Sequence, residues 1–114
     1  MNPNKPATIK LNKDFRTAYY HGRSQVHPAL VTYVRKNRLG FTRVGVTTGK
    51  KIGSAVVRNR CRRVIREAYR SLTPKLREGY DIVFVARVRT AAVKSTALAG
   101  VMAAHLRKAG VLPA

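Results

Sequence analysis

The chain has 114 residues, 45% of them hydrophobic, enough for one domain with a modest apolar core. Its 24 Lys and Arg stand against 4 Asp and Glu, a formal net charge of +20, which attracts nucleic acid or an anionic surface and repels basic partners. The apolar content excludes a disordered basic tail. No run reaches the ~20 residues of a membrane-spanning helix, and the one cysteine cannot close an internal disulfide.

Residues 1–10 hold two prolines and no periodicity, so an extended or mobile start is expected. They also lack the hydrophobic segment of a secretion signal, which points to a cytoplasmic protein without membrane partners. Asn12 can cap a short helix that places Asp14 in its first turn, favourable against the helix dipole. On that helix Phe15 and Tyr19 fall one turn apart on one face, and Gly22 ends it. Leu30 to Arg35 reads as a strand, with Leu30, Thr32 and Val34 on one face and Val31 and Tyr33 on the other. A polar turn, Lys36 to Gly40, leads to a second strand around Arg43 to Thr48.

Gly49 breaks the chain before the stretch KKIGSAVVRNRCRRVIREAYRSL, Lys50 to Leu72. Val57, Cys61, Val64, Ile65, Ala68 and Leu72 recur at intervals of three and four, the signature of a helix with one buried stripe. Ser54 is its expected N-cap and Pro74 cannot continue it. Cys61, on the apolar stripe, reads as a small buried hydrophobe. Arg62, Arg63, Arg66 and Arg70 point away from the stripe with Asn59 among them, Arg60 lies on the flank, and Arg58 sits at the stripe's edge with its stem packed. Glu67 is the only acid on this helix. A face kept for solubility alternates signs, because like charges one turn apart repel. Six arginine forks against that single acid instead suit the phosphates of a polyanion.

After Gly79, the run Asp81 to Arg87 has a continuous apolar centre that suits a central strand covered on both sides. A last helix begins near Ser95, with Leu98, Val101, Met102, Leu106 and Ala109 in register, and Gly110 can end it. No internal repeat interrupts this order, which describes a small α+β sandwich in a single domain.

The chemistry missing from the chain is as informative. The acids Asp14, Glu67, Glu78 and Asp81 lie on different elements, so they supply no evident carboxylate cluster for a metal-dependent nuclease. His21, His27 and His105 lack zinc-ligand spacing. We therefore assign the protein no catalytic residue, no metal ligand and no bound cofactor, and an independent protein nuclease is the weakest reading. Phe15, Tyr19 and Tyr33 are either core residues or platforms on which bases of a single strand stack. Spacing leaves both open. The hydroxyls of Tyr19 and Tyr33, which need partners if buried, favour a groove bordered by Arg16, Arg35 and Arg87.

The run KKIGSAVVRNRCRRVIR, Lys50 to Arg66, resembles the signature of the bacterial ribonuclease P protein subunit. DFRTAYYHG, Asp14 to Gly22, is similar to that family's aromatic first helix, and DIVFVAR, Asp81 to Arg87, to its last strand. The likeness spans roughly residues 11–106. It implies a two-layer αβββαβα sandwich with a four-stranded sheet, an extra strand near Arg23 to Val26, and a left-handed βαβ crossover against the usual preference. It implies further that the catalyst is a Mg²⁺-dependent RNA that removes the 5′ leader of precursor tRNA. The protein would be one monomer in a one-to-one ribonucleoprotein. Residues matching the family's block, Arg58, Asn59, Arg60, Arg62, Arg63 and Arg66, would then contact the catalytic RNA, with Lys50 and Lys51 at the adjoining edge. Phe15, Tyr19 and Tyr33 match the leader cleft. At Tyr19 the family often carries phenylalanine, so the stacking face is kept and a hydroxyl is added.

A small basic ribosomal protein is the main rival on composition, and the length of the Lys50–Arg66 motif argues against it. A DNA-binding regulator would be expected to show a helix-turn-helix pair or dimerisation heptads, and neither is evident.

Overall fold

The apolar run from Ile82 to Ala86 has no polar face, and it forms the middle of the sheet. The computed structural model describes residues 6–113. Its elements are β1 (Ala7–Thr8), α1 (Asn12–His21), β2 (Arg23–His27), β3 (Leu30–Lys36), β4 (Arg43–Thr47), α2 (Ala55–Leu72), β5 (Tyr80–Ala86) and α3 (Ser95–Lys108). Short 3₁₀ turns lie at Lys50–Ile52, Thr73–Lys75 and Val88–Ala92. The strands lie in the order β1-β4-β5-β3-β2. β5 runs antiparallel to β3 and parallel to β4, so β4, α2 and β5 make a βαβ crossover unit. β2 pairs antiparallel with β3, and supplies the strand implied near Arg23 to Val26.

Alternation along β5 serves two cores. Ile82 and Phe84 face α2 and α3, whereas Val83 faces α1, and all three are fully buried. The larger core joins Leu30, Ile65, Phe84, Leu98, Met102 and Leu106, each contributing about 1.5–3 kcal/mol by leaving water. The smaller one is Ile9, Ala18 and Val83, ringed by the half-buried Phe15, Tyr19, Tyr33 and Val85.

The α+β class stands, with three corrections to its details. The sheet has five strands, because Ala7 and Thr8 pair in parallel with Arg43 and Val44. The Ile9 N–H donates to the Val44 carbonyl at 2.8 Å and its side chain is buried, so this end of the segment expected to be extended or mobile is pinned. Residues 1–5 of that segment lie outside the described residues. Secondly, α1 packs on the opposite side of the sheet from α2 and α3, so the two-layer sandwich gains a third, partial layer. Periodicity tells which face a helix buries, not which side of a sheet receives it. Finally, Leu11 rather than Asn12 precedes the first helical turn, and no side chain caps it.

Candidate nucleic-acid interface

Gly53 stands at φ 145°, ψ −155°, a conformation that side chains rarely adopt, and turns the chain from the Lys50–Ile52 turn into α2. The turn leaves Lys50 and Lys51 exposed at the head of the helix, and Ser54 Oγ accepts a bond from the Val57 N–H at 3.4 Å. Along α2, Cys61, Ile65 and Ala68 are buried while Val57, Val64 and Leu72 are half-buried, as the spacing requires. Burial pushes the Cys61 thiol up, consistent with an inert packing residue. Tyr69 joins this face from its flank, outside the stripe read from the sequence. Its ring meets Phe84 edge-on at 5.6 Å, and burial pushes its phenol well above the usual range.

The opposite face is a field of donors interrupted by one exposed acid, Glu67. Asn59, Arg60, Arg63, Arg66 and Arg70 are exposed, and Arg62 Nη1 donates to Asn59 Oδ1 at 2.7 Å, which holds that fork along the helix. Arg58 is half-buried, as expected at the edge of the stripe. Its Nε is shielded from solvent and has no partner among the described residues. Such an unmet donor costs about 1–3 kcal/mol, which a phosphate oxygen would recover if it reached the group.

The aromatic residues gather on the α1 side of the sheet. Tyr19 and Tyr33 meet edge to face with centroids 5.1 Å apart, and the Tyr19 hydroxyl lies 2.7 Å from Thr47 Oγ1. Phe15 stands directly on β4, where a Cβ at Gly45 would come within 2.5 Å of its ring, so only glycine admits this packing. All three side chains are half-buried, neither sealed core nor free surface. Beside them Val31 and Val85 stay half-buried and Val26 is 67% exposed, because a ten-residue helix cannot roof five strands.

The three arginines expected to border this groove are not together. Arg16 is exposed on α1. Arg35 pairs in register with Asp81 near the start of β5, whereas Arg87 follows its end, about 20 Å away along the strand. Arg87 shares its end of the sheet with Lys50 and Lys51, since Thr47 pairs with Val85. There the Arg87 N–H donates to Thr90 Oγ1, which itself donates to the Ala29 carbonyl. Arg87, Lys50, Lys51 and the head of α2 thus bound one end of the open sheet face, while Arg35 lies at the other.

Arg35 also faces an ion network that sequence reasoning missed. Fully buried Asp81 accepts from Arg43 Nε at 2.9 Å, Arg43 Nη2 at 2.7 Å and Asn37 Nδ2 at 2.8 Å, with Asp14 3.5 Å from Arg43. Burial opposes ionisation of Asp81, yet the bonds from Arg43 and Asn37 prevail and hold its carboxyl below the usual range. The signal available was an acid opening an apolar strand, but its partner lies 38 residues away. Two of the four acids are thereby committed to structure. Among the described residues no three His, Cys, Asp or Glu side chains gather where they could hold a metal ion, and no helix is long and apolar enough to cross a membrane.

The family model described as Ribonuclease P matches residues 4–110. The ribonuclease P protein component of Clostridioides difficile is 47% identical over 89 residues, covering 77% of this chain and 78% of that one. That of Clostridium botulinum is 45% identical over 84 residues, covering 73% and 76%. Among solved structures, the Staphylococcus aureus RNase P protein superposes with a TM-score of 0.81 at 29% identity, over 95% of this chain and 99% of that one. The Thermotoga maritima RNase P protein gives 0.76 at 26% identity, over 88% and 96%.

Proposed function

Since the chain belongs to the ribonuclease P protein family, we propose that it binds the catalytic RNA through α2 and the 5′ leader of precursor tRNA through the open sheet face. One observation carries the reading: a helix face of arginines with a single acid, Glu67, adjoins a half-covered sheet face bearing Phe15, Tyr19 and Tyr33. Arg58, Asn59, Arg60, Arg62, Arg63 and Arg66, with Lys50 and Lys51, meet phosphates of the RNA as charge-assisted donors. Tyr19, Tyr33 and Phe15 offer ring faces and edges to leader bases, at about 1–3 kcal/mol per stacked base, with Arg16 and Arg87 on the adjoining backbone. Arg35 contributes less, because the Asp81 field offsets its charge.

Chemistry belongs to the RNA. Asp14 and Asp81 are engaged by Arg43, and Glu67 and Glu78 stand on other elements, so these carboxylates do not fit a Mg²⁺ site and the ions the reaction needs are held by the nucleic acid. The protein lowers the repulsion between two polyanions as they meet, and it acts as one copy in a cytoplasmic one-to-one ribonucleoprotein. Each phosphate neutralised makes affinity fall by roughly 0.7–0.9 log units per log unit of salt.

The test is cleavage at low Mg²⁺ of precursor tRNA with and without a leader, by RNA alone, protein alone and both. Cleavage only with both, and a gain in substrate affinity confined to the leader-bearing form, is expected. Cleavage by the protein alone would place the chemistry in the wrong molecule. Equal gains for both substrates would remove the leader from the sheet face.

A further inference from the structure

β1 covers only Arg43 and Val44 of β4, and between the β1 segment and α2 the outer edge of the sheet opens into a groove of about 800 Å³. Phe15 and Val46 line its apolar part above the buried Ile65 and Tyr69, Lys10, Arg66 and Arg70 line its basic part, and among the described residues no acidic side chain lines it. Arg66 and Arg70 are one turn apart on α2, exposed and about 5–6 Å apart at Cβ. Arg70 lies beyond the block attributed above to the catalytic RNA. Phe15 belongs to two surfaces at once: it lines this groove, and it packs with the cluster that holds Tyr19 and Tyr33. The groove therefore continues the open sheet face around the edge of β4.

We propose that this groove takes the next stretch of the single-stranded RNA that lies across Tyr19 and Tyr33, with bases against Phe15 and Val46 and phosphates on Lys10 and Arg70. The inference rests on the assignment of the sheet face to the leader. Three observations favour RNA over a polypeptide strand added to β4. Among the described residues no acidic side chain lines the groove, its apolar wall carries the half-buried ring of Phe15, and it is continuous with the aromatic face. Arg70 acts as a phosphate contact, so it adds affinity in proportion to strand length without reading sequence.

The experiment follows methyl resonances of the full-length protein during titration with single-stranded oligouridylates of about four and about ten nucleotides. Val46 and Ile65 report the groove, and Val31 and Val85 report the sheet face. The longer strand shifts both sets. Arg70→Ala, an exposed change, weakens the longer strand 5–10-fold, lowers its salt slope by about 0.7 and leaves the shorter strand unchanged. If Val46 and Ile65 stay still while Val31 and Val85 shift, the groove proposal fails and the leader assignment survives. If Val31 and Val85 stay still, the assignment beneath it fails. Tighter binding of an acidic peptide than of RNA at Val46 and Ile65 would make the groove a protein site.

Discussion

The two sides of the sheet are built to different standards. Among the described residues, the side facing α2 and α3 has seventeen buried side chains in its core, and the side facing α1 has three. Two helices roof the first side, and Val111 and Leu112 fold back beneath them with N–H groups donating to the Leu106 carbonyl. One ten-residue helix crosses the second, and leaves tyrosine edges and valine methyls half in water. The lesson is a division of labour within one sheet. Stability resides where burial is complete, and a ligand is left the face where burial stops midway.

Truncating one aromatic on each side should separate stability from binding most clearly. Phe84→Ala removes a fully buried ring that Tyr69 packs against, and is expected to cost about 3–5 kcal/mol in denaturant unfolding. Tyr33→Ala removes a half-buried ring and should cost about 1–2 kcal/mol of stability. Its larger effect should be on leader-bearing substrate, by about 1–3 kcal/mol, with leaderless substrate unaffected. Equal losses of stability from the two changes would mean that the sides are equivalent cores.

Much of the first side was legible in the chain, because its cause is local. A stripe at intervals of three and four from Val57 to Leu72 specifies a helix and its buried face, and the unbroken apolar centre of β5 specifies a strand covered twice. What escaped was decided by distant partners. The pairing of Ala7 and Thr8 with β4 is two residues long, and Phe15 seats itself only because Gly45 lacks a Cβ. The position of α1 on the opposite side follows from neither residue's local pattern. Of the site, the arginine block could be read directly, whereas the separation of Arg35 from Arg87 needed the register of β3 on β5.

The Arg43–Asp81 pair is a polar core on the otherwise open side. Arg43→Ala strands a buried carboxylate with Asn37 alone, at an expected cost of about 3 kcal/mol at neutral pH. The wild-type carboxyl titrates below its unfolded value of 3.8, so its contribution is complete above that pH and is lost as pH falls through the folded value. In the variant, burial acts without the guanidinium and favours the neutral acid. The penalty should therefore shrink on going from pH 7 to about 4. Asp81→Asn in the same background should recover part of it. A penalty independent of pH would show that lost packing, not the stranded charge, is responsible.

On the dry side one imidazole is held below its ordinary range. His105 of α3 is buried, its Nδ1 lies 2.8 Å from Thr32 Oγ1 on β3, and its ring is 6.5 Å from His27 of β2, with Lys108 on its own helix. His27 Nδ1 accepts from the Ala29 N–H, so the neutral ring carries its proton on Nε2. Burial, then the charges of His27 and Lys108, hold the His105 imidazole below its unfolded value of 6.5. Stability from this group is complete above pH 6.5 and is lost as pH falls toward the folded value. Thermal unfolding at pH 7.5 and 5.5 should show that loss, of the order of one hydrogen bond, about 1 kcal/mol. His105→Asn retains an acceptor near Nδ1 and should lower stability at both pH values while removing that part of the pH dependence.

The smallest expected effect is the most discriminating on the open side. The Tyr19 hydroxyl meets Thr47 Oγ1 across the gap between α1 and β4, whereas the ring edge meets Tyr33. If the hydroxyl serves the fold and the ring serves the RNA, the two can be separated within one residue. Tyr19→Phe keeps the ring and should cost at most about 1 kcal/mol in unfolding, with leader affinity unchanged. Tyr19→Ala should lose that affinity by about 1–3 kcal/mol. A fall in leader affinity from Tyr19→Phe alone would mean that the hydroxyl leaves Thr47 to bond the RNA. The half-buried face would then rearrange on binding, rather than standing ready as the fold leaves it.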